Sequence, residues 1–167
     1  MIKGFSHIGF DVEDLDRTID FYETRLGFKR KFTMTYQRAY DILMNKTGGK
    51  LDERDREFAD YLKAGQGNIW FVFMEIAPGQ LVEFFPRDGQ REKFPHDCYY
   101  TMTHFALETD DIQTFYQEVI AKGLVPDKPL TYSVDGTWQF WLHDPDGNRF
   151  EIYQYTEKSM QMLPAED

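Results

Sequence analysis

Apolar positions along the chain fall into short strand-like runs and two stretches of helical spacing, separated by strong turn residues. Residues 5–11 and 101–109 carry enough apolar side chains for half-buried or buried strands. After each comes an acidic residue placed to cap a helix, Asp14 or Asp110, with further acids suited to the positive end of the helix dipole. Leu15, Ile19, Tyr22 and Leu26 mark one face of the first predicted helix, and Ile112, Phe115, Tyr116 and Val119 mark the second. Gly27 and Gly123 stand where a left-handed residue would stop each helix. Residues 28–36 and 124–134 then read as extended. Hairpins close each stretch, 69–76 with 81–85 and 138–142 with 149–155. Their turns are Ala77-Pro78-Gly79-Gln80 and Asp144-Pro145-Asp146-Gly147-Asn148.

The same βαβββ order therefore occurs twice, and the residues themselves repeat. Segment 68–85 aligns without gaps on 136–153, placing Trp70 on Trp138, Gly79 on Gly147 and Glu83 on Glu151. Earlier in the chain His7 matches His104, Ile19 matches Tyr116 and Gly27 matches Gly123. The predicted fold class is α+β, with a first module at 1–87, a connector at 88–98, a second module at 99–156 and a tail at 157–167. His7 to Glu83 spans 76 positions and His104 to Glu151 spans 47, so the first module holds a surplus of 29. That surplus lies at about 37–66. It contains Gly48-Gly49, a predicted helix with Leu51, Phe58 and Leu62 on one face, and an apolar cluster of Tyr40, Ile42, Leu43 and Met44. So apolar an insertion is expected to pack over the sheet or onto a partner subunit.

Charge narrows the function. The 167 residues include 19 Lys and Arg against 29 Asp and Glu, a net charge of −10. Phosphate contacts need clustered cations, so this balance argues against nucleic acid and against an anionic membrane surface. The longest uninterrupted apolar run, 69–74, falls far short of the roughly 20 residues that span a bilayer. A single cysteine, Cys98, forms no intrachain disulfide, and the N-terminus turns polar before any signal-like apolar stretch develops. These features predict a soluble cytoplasmic protein.

The repeat also selects four candidate ligands. In each module the histidine begins an outer strand and the glutamate sits in the last strand. A lone strand histidine is more often an ordinary core or surface residue, and a lone strand glutamate is more often solvated. Here both types recur at equivalent positions, His7 with His104 and Glu83 with Glu151, in a chain with only four histidines. Two such modules about a pseudo-twofold would set two imidazoles and two carboxylates around one point. That donor set suits a single borderline divalent cation (Zn, Ni, Co, Mn or Fe) with room for two further ligands.

The chain resembles the vicinal oxygen chelate superfamily, also called the glyoxalase/bleomycin-resistance/dioxygenase superfamily. The resemblance rests on Ser6-His7-Ile8-Gly9-Phe10-Asp11-Val12, Phe21-Tyr22, Leu26-Gly27-Phe28, Thr103-His104-Phe105-Ala106-Leu107, and the run 140–153 ending on Glu151. It implies strands curled into a cup around the metal, and a homodimer. His7, Glu83, His104 and Glu151 reproduce the ligand pattern of the lactoylglutathione lyases. The activity so implied is a metal-dependent lyase or isomerase that moves a proton through an enediolate on a small vicinal-oxygen substrate. Glu151 matches the family's catalytic glutamate, and Glu83 is the opposing acid/base. The alternatives are an extradiol-type dioxygenase, which needs more open metal positions than four protein ligands leave, and a non-catalytic, resistance-type binding protein.

Two positions depart from the glutathione-using members. Asp11 stands where they have an arginine, and Arg87 where they have an asparagine. A carboxylate in place of a cation reverses the local electrostatics and argues against glutathione. His143 reads as a hairpin-end surface residue, His96 as part of the connector and Cys98 as structural or incidental. Trp70, Trp138, Phe73 and Trp141 are candidates either for cavity lining or for core.

Overall fold

The computed structural model describes residues 6–87 and 103–164, so the expectations for the 88–98 connector, His96 and Cys98 lie outside the described residues. The chain divides into two units, Met1–Arg91 and Glu92–Asp167. No helix among the described residues is long and apolar enough to cross a membrane.

In the first unit β1 (His7–Val12) leads into α1 (Leu15–Asp20), which widens into one π-helical turn at Phe21–Arg25. Then come β2 (Lys29–Thr35), α2 (Tyr36–Thr47), α3 (Glu53–Ala64), β3 (Ile69–Ala77) and β4 (Gln80–Pro86). The second unit runs β5 (Phe105–Glu108), α4 (Ile112–Ala121), β6 (Lys128–Tyr132), β7 (Trp138–His143) and β8 (Arg149–Gln154). Each unit forms a four-stranded mixed sheet of the same topology, β1-β4-β3-β2 and β5-β8-β7-β6. The first strand of each unit runs parallel to the last, and the other pairs are antiparallel. This is the α+β, tandem βαβββ arrangement expected from the sequence.

Strand alternation decides what each sheet face carries. In the first unit Phe10, Val12, Val72, Met74, Val82 and Phe84 turn to one side and are buried with Leu15, Ile19 and Tyr22 of α1. The Tyr22 ring packs against Phe28 and Phe84, with centroids 5.1 and 4.8 Å apart. In the second unit Phe140, Leu142, Phe150 and Ile152 are buried with Ile112 and Val119 of α4, and Tyr116 meets Phe140 edge-on at 5.0 Å. The opposite face of each sheet is thereby left for His7, Gly9, Asp11 and Glu83, and for Ala106, Trp141 and Glu151.

The helix starts differ in one detail from the sequence reading. Asp14 caps α1 by accepting from the Arg17 N–H, but α4 is capped by Asp111, which accepts from Thr114 N–H and Oγ1, and not by Asp110. Asp111 is the residue in register with Asp14 once the acidic turns are aligned. Gly27 and Gly123 adopt φ of +78° and +82°, the left-handed conformation that ends the helices.

The surplus of the first unit forms two helices rather than one. Thr35 caps α2 through its hydroxyl, which accepts from Arg38 N–H, and Gly48 at φ +59° ends it. Ala39 and Leu43 of α2 are buried against Ala59 and Leu62 of α3, with Met34, Tyr40, Leu51 and Trp70 packed around them. Of the apolar cluster, Tyr40 and Leu43 thus lie on the packed face of α2, whereas Ile42 is exposed.

Candidate metal-binding half-sites

His7 opens β1 and Glu83 lies in β4, paired in register with Gly9. The His7 Nε2 and Glu83 Oε2 atoms are 3.6 Å apart. The second unit repeats the arrangement: His104 immediately precedes β5, Glu151 pairs with Ala106, and His104 Nε2 lies 3.8 Å from Glu151 Oε1. In both pairs the carboxylate side chain is sheltered at 12% exposure, whereas the imidazoles are 43% and 35% exposed. Among the described residues each unit brings two of the four predicted ligands together, and no group of three or more His, Cys, Asp or Glu gathers.

The second nitrogen of each imidazole is held by the residue just before it. Ser6 Oγ lies 3.2 Å from His7 Nδ1, and Thr103 Oγ1 lies 2.9 Å from His104 Nδ1. A partner on Nδ1 fixes ring orientation and leaves Nε2 facing the carboxylate, as ligating histidines commonly require. A hydroxyl residue before both histidines was visible in the sequence but had no assigned role until the contacts appeared.

Burial pushes both carboxyl groups above the ordinary glutamate value of 4.5, with His7 and His104 pulling weakly the other way. Neither carboxylate accepts a hydrogen bond among the described residues, yet no fully buried side-chain oxygen is left unsatisfied, so their oxygens remain reachable. The donor set fits a divalent cation. Two atoms each about 2.1 Å from one ion stand about 3.0–3.4 Å apart, close to the 3.6 and 3.8 Å seen, and those separations exceed a direct hydrogen bond.

Around the pairs the two sheet faces differ. In the first unit Phe32, Phe71, Phe73 and Phe85 form a connected set with centroid separations of 5.0, 5.7 and 5.5 Å, and His7 meets Phe73 edge-on at 5.2 Å. Of the candidate lining residues, Phe73 thus lies on this face, whereas Trp70 stacks on Tyr36 of α2 and meets Phe58 of α3 at a tilt. In the second unit Trp141 lies 4.8 Å from the His104 ring, and Trp138 packs on Tyr132. His143, at its exposed hairpin end, contacts Asp127 at 2.8 Å.

Asp11 and Arg87, the two departures from the glutathione-using pattern, meet each other. Arg87 Nη2 lies 2.7 Å from Asp11 Oδ1, and the guanidinium sits over the Phe85 ring. The carboxylate expected to reverse the local charge is therefore neutralised by the second substitution.

Tyr153, in β8 two residues beyond Glu151, was also missed by sequence reasoning. Its hydroxyl donates to Asp135 Oδ2 at 2.5 Å, and Gln161 Nε2 donates to both partners. Burial first, then that bond to a carboxylate, push the tyrosine up to about 12. Hydrogen bonds led by the Thr137 hydroxyl hold Asp135 well below the usual carboxylate range. The loop carrying Asp135 turns at Gly136, where φ is +80° and an added Cβ would stand 2.2 Å from the Lys158 carbonyl oxygen. Gly136→Ala is expected to cost about 2–3 kcal/mol of stability, measured by chemical denaturation. An unchanged midpoint would show that the loop relaxes freely.

Two βαβββ units, each with a histidine at or just before the start of its first strand and a glutamate in its last, define a duplicated α+β scaffold. The chain belongs to the Glyoxalase/Bleomycin resistance protein/Dioxygenase superfamily, whose profile matches residues 4–152. It is similar to the uncharacterized protein YwbC of Bacillus subtilis, 27% identical over 92% of this chain and 99% of that one. It is also 28% identical to the lactoylglutathione lyase GLX1 of Arabidopsis thaliana over 91% of this chain, although it spans only 44% of that enzyme. The crystal structure of a glyoxalase family protein from Enterococcus faecalis shares the fold, with a TM-score of 0.63 at 16% identity, covering 91% of this chain and 98% of that one. The superfamily includes lyases, dioxygenases and resistance proteins, and its members commonly bind a divalent metal.

Proposed function

We propose that the protein is a glyoxalase-type, metal-dependent lyase or isomerase acting on a small substrate with two neighbouring oxygens. The observation that carries this reading is the duplicated pair: an exposed imidazole held at Nδ1 by a preceding hydroxyl, facing a sheltered carboxylate, in both units. His7, Glu83, His104 and Glu151 would hold the cation. When bound, it supplies Lewis-acid polarisation of substrate oxygens.

The chain's own residues supply the proton transfer. Glu151 takes a proton from one substrate carbon and returns it to the neighbour, with Glu83 as the opposing acid/base. Burial raises both carboxyl groups, which makes each a stronger proton acceptor than an exposed glutamate. The Asp11–Arg87 pair supplies no free cation for a glutathione carboxylate, so a different carrier, or none, fits better. The setting that accompanies this reading is a cytoplasmic homodimer.

A second reading has its own observation. The connected phenylalanines 32, 71, 73 and 85 on the face that carries His7 and Glu83 would suit a planar apolar ligand in a resistance-type binding protein. Elemental analysis followed by hemithioacetal isomerisation assays with several thiols separates the two. The expected result is one tightly bound divalent ion per chain and an activity abolished by chelation. Absence of both metal and metal-dependent turnover favours the binding protein, and oxygen uptake on a catechol favours an extradiol dioxygenase.

A further inference from the structure

The two units share strand order and the His–Glu pair, so each serves as an internal control for the other. The gap-free alignment of 68–85 on 136–153 matches Phe71, Phe73 and Phe85 to Gln139, Trp141 and Tyr153. Strand register matches Phe32, beside Phe73, to Lys128, beside Trp141. The second unit therefore builds the same sheet, with the same pair, on a lysine, a glutamine and a tyrosine whose hydroxyl turns to Asp135. Neither the fold nor the pair requires four phenylalanines. Nor does the core of the first unit, which lies on the other side of its sheet with Val72, Met74, Val82 and Phe84. The phenylalanines remain only half-buried, an apolar surface that is stabilised by a cover. Gly9 indicates which cover fits. It pairs with Glu83 on this face and is exposed, and its φ lies outside the left-handed region, so the backbone does not demand a glycine. A Cβ added there would stand 3.6 Å from Phe85 Cε2 and 3.7 Å from Glu83 Oε2. The missing side chain thus leaves a gap bordered by an aromatic edge and by the carboxylate. Phe73, edge-on to His7 at 5.2 Å, carries the aromatic wall on to the imidazole.

We propose that the gap over Gly9 and the rings of Phe71, Phe73 and Phe85 form a subsite for a flat aromatic group of the substrate, beside the His7–Glu83 pair. The substrate class is then an aryl-substituted compound with two neighbouring oxygens, and Phe71 and Phe85 are specificity-determining residues. An aromatic ring placed there gains edge-to-face and offset contacts as well as burial, whereas a methyl group gains little of either. The inference deepens the proposed function and rests on it only in calling the ligand a substrate.

The test measures binding alone, by NMR titration of chelator-treated full-length protein with two neutral vicinal diols, 1-phenyl-1,2-ethanediol and 1,2-propanediol. The phenyl diol is expected to bind at least about tenfold tighter, because its ring removes far more apolar surface from water than a methyl group does. The double variant Phe71→Gln, Phe85→Tyr carries the residues that the second unit holds at the equivalent positions, so the sheet tolerates them. It is expected to bring the preference to about threefold or less without changing the oligomeric mass. Gly9→Val leaves every phenylalanine in place but fills the gap, and is expected to abolish binding of the phenyl diol. Gly9→Ala, whose Cβ meets only ordinary contacts, is expected to weaken it less. Equal affinity for the two diols, no saturable binding of the phenyl diol, or a preference that survives both the double variant and Gly9→Val would overturn the subsite. So would a fall in oligomeric mass in the double variant, which would make this face a contact between copies of the chain. No metal or turnover enters the measurement, so its failure leaves the metal and isomerisation results standing. A phenyl preference in a protein with neither metal nor turnover would keep the subsite and remove the enzymatic reading.

Discussion

Glu151→Gln is expected to lower kcat by about 10²–10⁴-fold while most of the divalent metal stays bound, since that is the range a positioned general base contributes. The amide keeps the size of the carboxylate and an oxygen able to face His104, but it cannot accept a proton. Glu151 is sheltered by its neighbours, and burial is the largest cause of its raised proton affinity. The base is thus favoured by the same environment that a ligand would need. Replacing it separates the two roles, because catalysis requires the proton and ligation requires only an oxygen. The measurement pairs steady-state kinetics with metal content by elemental analysis. Full activity in the variant, on a substrate that the wild type turns over, would remove Glu151 from the proton path. Loss of metal and activity together would make it a ligand first. Glu83→Gln gives the companion value. A smaller fall in kcat there would assign the main proton transfer to the second unit's carboxylate.

How much of this was legible beforehand depended on what kind of interaction fixed each feature. Turns and helix stops are local, so Gly27 and Gly123 read correctly from their position alone. The two hairpins are likewise fixed by their turn residues and by strand alternation. Asp111 was mistaken for Asp110 because adjacent aspartates offer the same chemistry, and only the backbone decides which side chain reaches Thr114. Helix α2 was hidden because Tyr36, Ala39, Tyr40 and Leu43 follow an extended run directly, with Thr35 as the only mark of the boundary. The Glu83 and Glu151 positions were visible through the repeat, but their partners were not all visible. Ser6 and Thr103 carry a role only once the imidazole ring is oriented. Asp11 and Arg87 are 76 positions apart, so nothing local showed that one substitution compensates the other. Cross-strand pairing brought them together, as it brought Lys128 and Arg149 to Trp141.

The two sheltered carboxylates also make stability respond to metal and pH in opposite senses, and Glu83→Gln exposes this most sharply. Burial raises the folded-state pKa of Glu83 above the ordinary 4.5, so the neutral acid is the form the fold prefers. The stabilisation linked to that shift is complete below the unfolded-state pKa and is lost as pH rises through the folded-state value. Wherever these glutamates are ionised, the metal-free protein carries their desolvation cost. A cation held by Glu83 under the proposed function would offset that cost, and a ligand present at about 1,000 times its Kd stabilises the folded state by about 4 kcal/mol. Glutamine has no charge to desolvate and is a poorer ligand. Metal-free Glu83→Gln is accordingly expected to unfold at a higher temperature than metal-free wild type, by about 2–4 °C for each kcal/mol relieved. Metal-loaded Glu83→Gln is expected to unfold at a lower temperature than loaded wild type, so the order of the two proteins reverses on loading. Lowering the pH from 7 to 5 should narrow the metal-free difference, because burial raises the proton affinity of wild-type Glu83 and acid moves it toward the neutral form. Thermal unfolding with and without chelator at both pH values checks all three. If the variant instead loses as much stability without metal as with it, Glu83 is a structural residue of β4 and not a ligand kept ionised at the fold's expense.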